Sequence, residues 1–298
     1  MISLEQINTK YVKAIPIPDE DTRPIKGYDI CEEVYANIFL CAKKKSGKTS
    51  ALFKIMKECV VKNTIIYIFC STAYKDKNWI QIRQYFKNKG MDVHVFTSIF
   101  DDGQDQLLNL IEDLKQEAKD EEEAKEHKEE EIPAIDRCDD ILGRLEQMYL
   151  RATGKIECLP DEEEEEEPKR KKRSKYLAPE YMIIFDDLSS ELKSRSLLSL
   201  LKFNRHFKSK LIISSQWLHD LIPESRKQID LFMIFRGFPE KKLNEIYKDA
   251  DTGISFDLFY QMYKKATKRP HSFLYICTRS DSFRRNFDSK FIIHDKEI

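Results

Sequence analysis

Glycine is scarce here. Eight residues in 298 are too few for a fibrous or loop-rich chain. A charge bias is missing too: 51 Lys and Arg face 52 Asp and Glu, and the net charge of −1 says nothing about partners until the charges are located. No apolar run approaches 18 residues, so no membrane span is expected, and the N-terminus MISLEQINTKYVK lacks a signal-peptide profile. The seven cysteines form no CxxC or CxxH pair, which fits free thiols in a reducing compartment better than a disulfide frame or a zinc site. Cys41 and Cys70, at the ends of apolar runs, read as small core residues. These absences predict a soluble intracellular protein.

What is present suits a large core. Hydrophobic residues make up 41%, with 18 Phe and 13 Tyr, and the length allows one large domain or two ordinary ones. Short runs at 36–41 (ANIFLC), 64–69 (TIIYIF), 93–96 (VHVF), 181–185 (YMIIF), 210–214 (KLIIS) and 231–235 (LFMIF) are apolar on both faces. A parallel sheet covered by helices requires strands of that kind. Amphipathic patterns at 48–59, 79–87, part of 187–207 and 240–249 alternate with them, predicting α/β with crossover connections. A helix at 256–266, a strand at 273–277 and a last apolar run at 291–293 follow.

The middle differs. AKDEEEAKEHKEEE and DEEEEEEPKRKKRSK are too polar to offset the entropy of ordering, while residues 141–150 between them have helical spacing. The expected organisation is an extension at 1–35 and the first part of the core at 36–116. A charged insertion with one amphipathic helix follows at 117–175, then the second part of the core with a C-terminal α/β segment at 176–298. PKRKKR at 168–173 reads either as a nuclear or nucleic-acid signal or as a linker neutralising its acidic neighbour.

The chemistry centres on NIFLCAKKKSGKTSALFKIM, residues 37–56. Ala42-Lys43-Lys44-Lys45-Ser46-Gly47-Lys48-Thr49 matches G-x-x-x-x-G-K-[ST] except at its first position, where Ala42 replaces glycine. An apolar strand precedes it and an amphipathic helix follows, the setting in which backbone N–H groups surround phosphate. Residues 42–50, ending at Ser50, are the expected nucleotide-binding set. Gly47 allows close backbone approach, Lys48 reaches the β- and γ-phosphates, and the Thr49 hydroxyl ligates Mg²⁺. The outward lysines add attraction for a polyanion, and Ala42 is expected to carry a modest penalty at positive φ.

A carboxylate at the end of a neighbouring buried strand is needed for the metal. YMIIFDDLSSE supplies Asp186 for that role and Asp187 to orient and deprotonate water, with Glu191 as substitute. The alternative makes Asp187 or Ser189 a helix N-cap. Gln216, after the next strand, is either a γ-phosphate sensor or a residue satisfying a turn.

The order of these motifs, with RHFKSKLIISSQ at 205–216 and LIPESRKQIDLFMIFR at 221–236, resembles the genome-packaging ATPases of large double-stranded DNA viruses and virophages, a branch of the FtsK/HerA superfamily of ring translocases. The resemblance covers roughly residues 30–115 and 178–290. It implies a RecA-like phosphate-loop NTPase with a mainly parallel sheet, ATP and Mg²⁺ as cofactors, and the catalytic set Lys48, Asp187, Gln216 and Arg226. Arg226 would face a neighbouring subunit's γ-phosphate, with Arg236 competing; a plain salt bridge is its other reading. Asp187 is one methylene shorter than the Glu of many members.

The resemblance further implies a homo-oligomeric ring of five or six subunits, non-specific double-stranded DNA as partner, and a capsid or portal-vertex protein as another. It places the protein in host cytoplasm, viral factory or virion. Candidate DNA grips are YKKATKRPH at 263–271 and FRRNF at 283–287. The rival functions are a non-translocating NTP switch or scaffold and a small-molecule kinase. GTP specificity is not expected, since no N-K-x-D-like segment follows a late strand.

Overall fold

The computed structural model describes residues 21–101, 103–130 and 174–293. The helix expected at 141–150, PKRKKR, Cys138, Cys158 and most of the N-terminal extension lie outside the described residues.

The apolar runs form strands as their composition requires. They are β1 (Asn37–Cys41), β2 (Ile65–Cys70), β3 (Val93–Phe96), β6 (Tyr181–Asp186), β7 (Ser209–Ser215) and β8 (Leu231–Phe235). All six run parallel; β9 (Phe273–Cys277), β10 (Ser282–Arg285) and β11 (Ser289–Lys290) continue the sheet antiparallel. The nine-stranded order is β11-β10-β9-β8-β1-β7-β6-β2-β3, and β4 (Phe100–Asp101) with β5 (Gln104–Asp105) makes a separate small hairpin.

Side chains alternate across this sheet, so each strand feeds two cores. On one face α1 (Lys48–Cys59) and α2 (Lys77–Asn88) bring Leu52, Ile55, Trp79 and Phe86 onto Ile38, Leu40, Met182 and Ile184. On the other, α3 (Gln106–Glu130), α4 (Arg195–Phe203), α6 (Glu240–Ala250) and α7 (Phe256–Ala266) cover Phe39, Ile183, Phe185 and Ile213. Each such buried side chain contributes roughly 1.5–3 kcal/mol, which is why these strands read as apolar without alternation. Short α5 (Pro223–Arg226) begins on proline, whose fixed φ suits a first helical turn.

Two expectations need correcting. The acid-bearing β6 is not the neighbour of β1, because β7 pairs with both and lies between them. Helix α3 runs past Glu117, where an insertion too polar to order was expected to begin. Two tertiary anchors and one local pair explain that: Tyr181 donates its hydroxyl to Glu117, Lys208 pairs with Glu121, and within the helix Gln116 donates to Asp120 one turn on at 2.7 Å. The apolar run 291–293 forms no strand, and Ile292 is 78% exposed.

Candidate nucleotide site

Strand β1 ends at Cys41, and the chain turns through residues 42–47 into α1. The Ser46 hydroxyl donates to the Lys43 carbonyl at 2.7 Å and tightens the turn. Gly47 has φ 95° and Lys45 has φ 61°. Ala42 is not among the residues at positive φ; it is buried, and its N–H bonds the Ser215 carbonyl at 3.0 Å. The missing first glycine therefore carries no left-handed penalty. Lys45 bears it instead, at about 1–2 kcal/mol. Lys43, Lys44 and Lys45 are exposed, as expected. Helix α1 starts without a capping side chain or an acid in its first turn, so its leading N–H groups stay available to an anion.

Lys48 leaves the head of α1 and crosses the mouth of β7 to the end of β6. Its Nζ lies 2.9 Å from Asp186 Oδ1 and also pairs with Asp187. Asp186 is almost fully buried, and its other oxygen accepts the Trp79 indole N–H at 2.9 Å. Burial opposes the Lys48 charge, but the two carboxylates outweigh it, and its pKa lies above the ordinary lysine value. Asp187 is 39% exposed at φ 53°, and its carbonyl accepts the Ser71 hydroxyl at 3.1 Å.

Neither Asp187 nor Ser189 caps a helix. Leu188 precedes the 3₁₀ turn Ser189–Lys193, and Ser194 caps α4 through Leu197 N–H. Glu191 is committed elsewhere, accepting Ser98 Oγ at 2.8 Å and Ile99 N–H at 2.6 Å. It does not stand in for Asp187.

A cleft of about 880 Å³ opens over the loop, lined by Lys44, Lys45, residues 47–51, Asp187, and the C-terminal residues His271 and Phe287. Gln216 is not in it; with Cys41, Trp217 and Lys242 it borders a separate small hollow behind the β7 tip. Arg226 is nearly buried and pairs with Asp249 at 2.8 Å, so its salt-bridge reading is the one observed. Arg236 is exposed.

The proposed grips also look different in place. Tyr263 is buried, donating to the Phe235 carbonyl and accepting Gly237 N–H, while Phe283 is buried and Arg284 pairs with Glu32. The basic side chains Lys264, Lys265, Lys268 and Arg269 of the first segment stay exposed, and His271 at its end lines the cleft. Two residues of the site carried no sequence signal: Trp79, whose indole N–H anchors Asp186, and His271, which packs on Gly47. A Cβ on Gly47 would meet the His271 ring at 3.3 Å.

Among the described residues no cluster of three or more His, Cys, Asp or Glu is placed to hold a metal. Magnesium needs no such cluster. It keeps several waters and takes one or two protein oxygens plus phosphate, and the hard-oxygen pair of Thr49 hydroxyl and Asp186 carboxylate fits that demand.

A parallel sheet whose central strand runs into a lysine-bearing turn at a helix head, with a second strand's carboxylate against that lysine, defines the phosphate-loop NTPase fold. Among solved structures, the chain is similar to the genome packaging NTPase B204 from Sulfolobus turreted icosahedral virus 2 in complex with AMPPCP. The TM-score is 0.44 at 17% identity, covering 85% of this chain and 97% of that one. It is also similar to the cytoplasmic domain of the Thermomonospora curvata type VII secretion ATPase EccC, with TM-score 0.38, 11% identity, and 81% of this chain on 24% of that chain. A third is EssC (ATPases 2 and 3) from Geobacillus thermodenitrificans, with TM-score 0.41, 11% identity, and 96% of this chain on 46% of that chain. No family model matches the chain, and no curated protein does. Among the described residues, no helix is long and apolar enough to cross a membrane.

Proposed function

We propose that the protein is an ATP-hydrolysing translocase that packages viral double-stranded DNA into capsids. One observation carries the nucleotide part: Lys48, at the head of α1, is held by the paired acids that end β6. A partly buried cation clasped at the mouth of an uncapped helix is the group a polyphosphate would recruit. In this reading Lys48 exchanges a carboxylate partner for β- and γ-phosphate oxygens, and Lys44 and Lys45 raise the local attraction for the polyanion. Thr49 and Asp186 would hold Mg²⁺, which when bound offsets negative charge on the phosphates. Trp79 fixes the orientation of Asp186. Asp187, the exposed acid, takes the proton of the attacking water.

Translocation and packaging rest on the motif order along the chain. In that reading the working unit is a ring of five or six copies inside the infected cell, gripping duplex DNA through phosphate contacts and therefore salt-sensitively. Gln216, at the tip of β7, lies beside the strand carrying the acids and would report the nucleotide state through that strand. Arg226 could serve a neighbouring subunit only after leaving Asp249.

The test is ATP hydrolysis by wild type, Lys48→Ala and Asp187→Asn, with and without long duplex DNA. Wild-type hydrolysis stimulated by DNA and lost in both variants is the expected result. Hydrolysis indifferent to DNA would replace the motor with a switch or a kinase. No hydrolysis by the wild type would remove the ATPase itself.

A further inference from the structure

The cleft has two walls, and only one belongs to the phosphate loop. The opposite wall comes from the last strands of the chain: His271 and Phe273 where β9 begins, and Asn286, Phe287 and Asp288 in the turn after β10. This wall is built rigidly. The Asn286 side chain accepts Phe273 N–H at 3.1 Å and its backbone N–H returns to the Phe273 carbonyl at 3.1 Å. The Phe273 ring packs against Phe235 at 5.0 Å and against Phe287 at 5.1 Å between centroids. His271 and Asn286 both hold left-handed backbones, at φ 61° and 54°, strain that the surrounding contacts must over-determine. A Cβ added to Gly47 would come within 3.3 Å of the His271 ring, so this wall closes directly against the loop.

Resting on the nucleotide reading above, we infer that this C-terminal wall is the base-binding half of the site, with the flat face of a purine laid against Phe287. Phosphates need the N–H groups, Lys48 and the outer lysines, all on the α1 side of the cleft. A base needs an aromatic surface and hydrogen-bonding groups within one nucleotide's length of them. Phe287 is partly buried, and Asn286 and Asp288 flank it with an amide and a carboxylate. The segment 283–287, expected to grip DNA, would serve the nucleotide instead. The competing surface is the smaller groove of about 380 Å³ between α1 and α2, where Phe53 and Tyr85 are the aromatic members. It shares Thr49, Ser50 and Asn78 with the cleft but neither Lys48 nor Asp187.

The experiment is calorimetric titration with ADP and, separately, with inorganic tripolyphosphate. It compares wild type, Phe287→Ala, Phe287→Leu and Phe53→Ala, each checked for a wild-type unfolding transition. Phe287→Leu keeps apolar bulk against Phe273 and removes only the flat ring, so it answers the question if the alanine variant fails to fold. Loss of base stacking predicts about tenfold weaker ADP binding in the Phe287 variants, with tripolyphosphate binding unchanged. Phe53→Ala should bind both ligands as wild type does. Unchanged ADP binding, equal loss of both ligands, or a loss confined to Phe53→Ala overturns the inference and leaves the phosphate site standing. A wild-type protein that binds neither ligand overturns the nucleotide reading as well.

Discussion

Replacing Lys48 by Met should destabilise the protein as well as silence it, because Asp186 would lose its cation while staying buried. Removing one partner of a buried ion pair costs about 3–5 kcal/mol. Asp186 keeps the Trp79 indole N–H, and Asp187 faces solvent, where an ion pair contributes under about 1 kcal/mol. A loss of about 2–3 kcal/mol for Lys48→Met follows. Asp186→Asn should cost about 1–2 kcal/mol, since Lys48 retains Asp187. The double variant strands no charge, so its loss should fall short of the sum by at least about 1 kcal/mol.

Urea unfolding of the four proteins measures this. Additive losses, or a Lys48→Met midpoint equal to wild type, would refute the clasp. Alkaline pH gives a second reading. Lys48 has its folded pKa raised above the ordinary value, so the contribution of the clasp is complete below about pH 10.4 and lost as pH climbs through the folded value. The gap between wild type and Lys48→Met should hold through neutral pH and close only at the alkaline end.

Asp187→Asn should lower ATP hydrolysis by about a hundredfold or more while leaving stability near wild type. Glu191→Gln, by weakening the Ser98 and Ile99 bonds, should cost about 1 kcal/mol of stability and spare turnover per folded molecule. Loss of turnover in Glu191→Gln would make that acid the base after all. Arg226→Ala and Asp249→Asn should each lower the unfolding free energy by about 2 kcal/mol and alter hydrolysis equally. A hydrolysis defect confined to Arg226→Ala would return the arginine to a neighbour's phosphate. Burial pushes the Cys41 thiol up to about 12 and those of Cys59 and Cys70 to about 11, so iodoacetamide should label them at pH 8 only after denaturation. Rapid labelling of the folded protein would contradict that.

What the sequence disclosed was local. Helix α1 begins and ends where its pattern predicted, Lys48 to Cys59, because the turn residues and the apolar face sit within one window. Strands β3, β8 and β9 likewise match their apolar runs. Strand order was another matter. Nothing in the β6 sequence tells that β7, later in the chain, inserts between it and β1. Trp79 and Asp186 are separated by 107 residues, and no periodicity reports such a pairing. Helix α3 was misjudged from Glu117 onward because composition was weighed alone, while Tyr181 and Lys208, far along the chain, supply the partners that extend it. Ala42 was charged with strain that Lys45 carries, since a motif records residue types and not dihedral angles.

The polarity of β6 separates two tasks along one strand. Asp186 closes its C-terminal end beside Lys48, whereas Tyr181 opens it beside Glu117, and six extended residues set those ends roughly 17 Å apart. The chain described from Ser174 onward enters the sheet at the opening end, where the Thr64 hydroxyl donates to the Pro179 carbonyl at 2.9 Å. At physiological salt the span between the two ends is about two screening lengths, so charges at the opening end leave the Lys48 cluster electrically undisturbed.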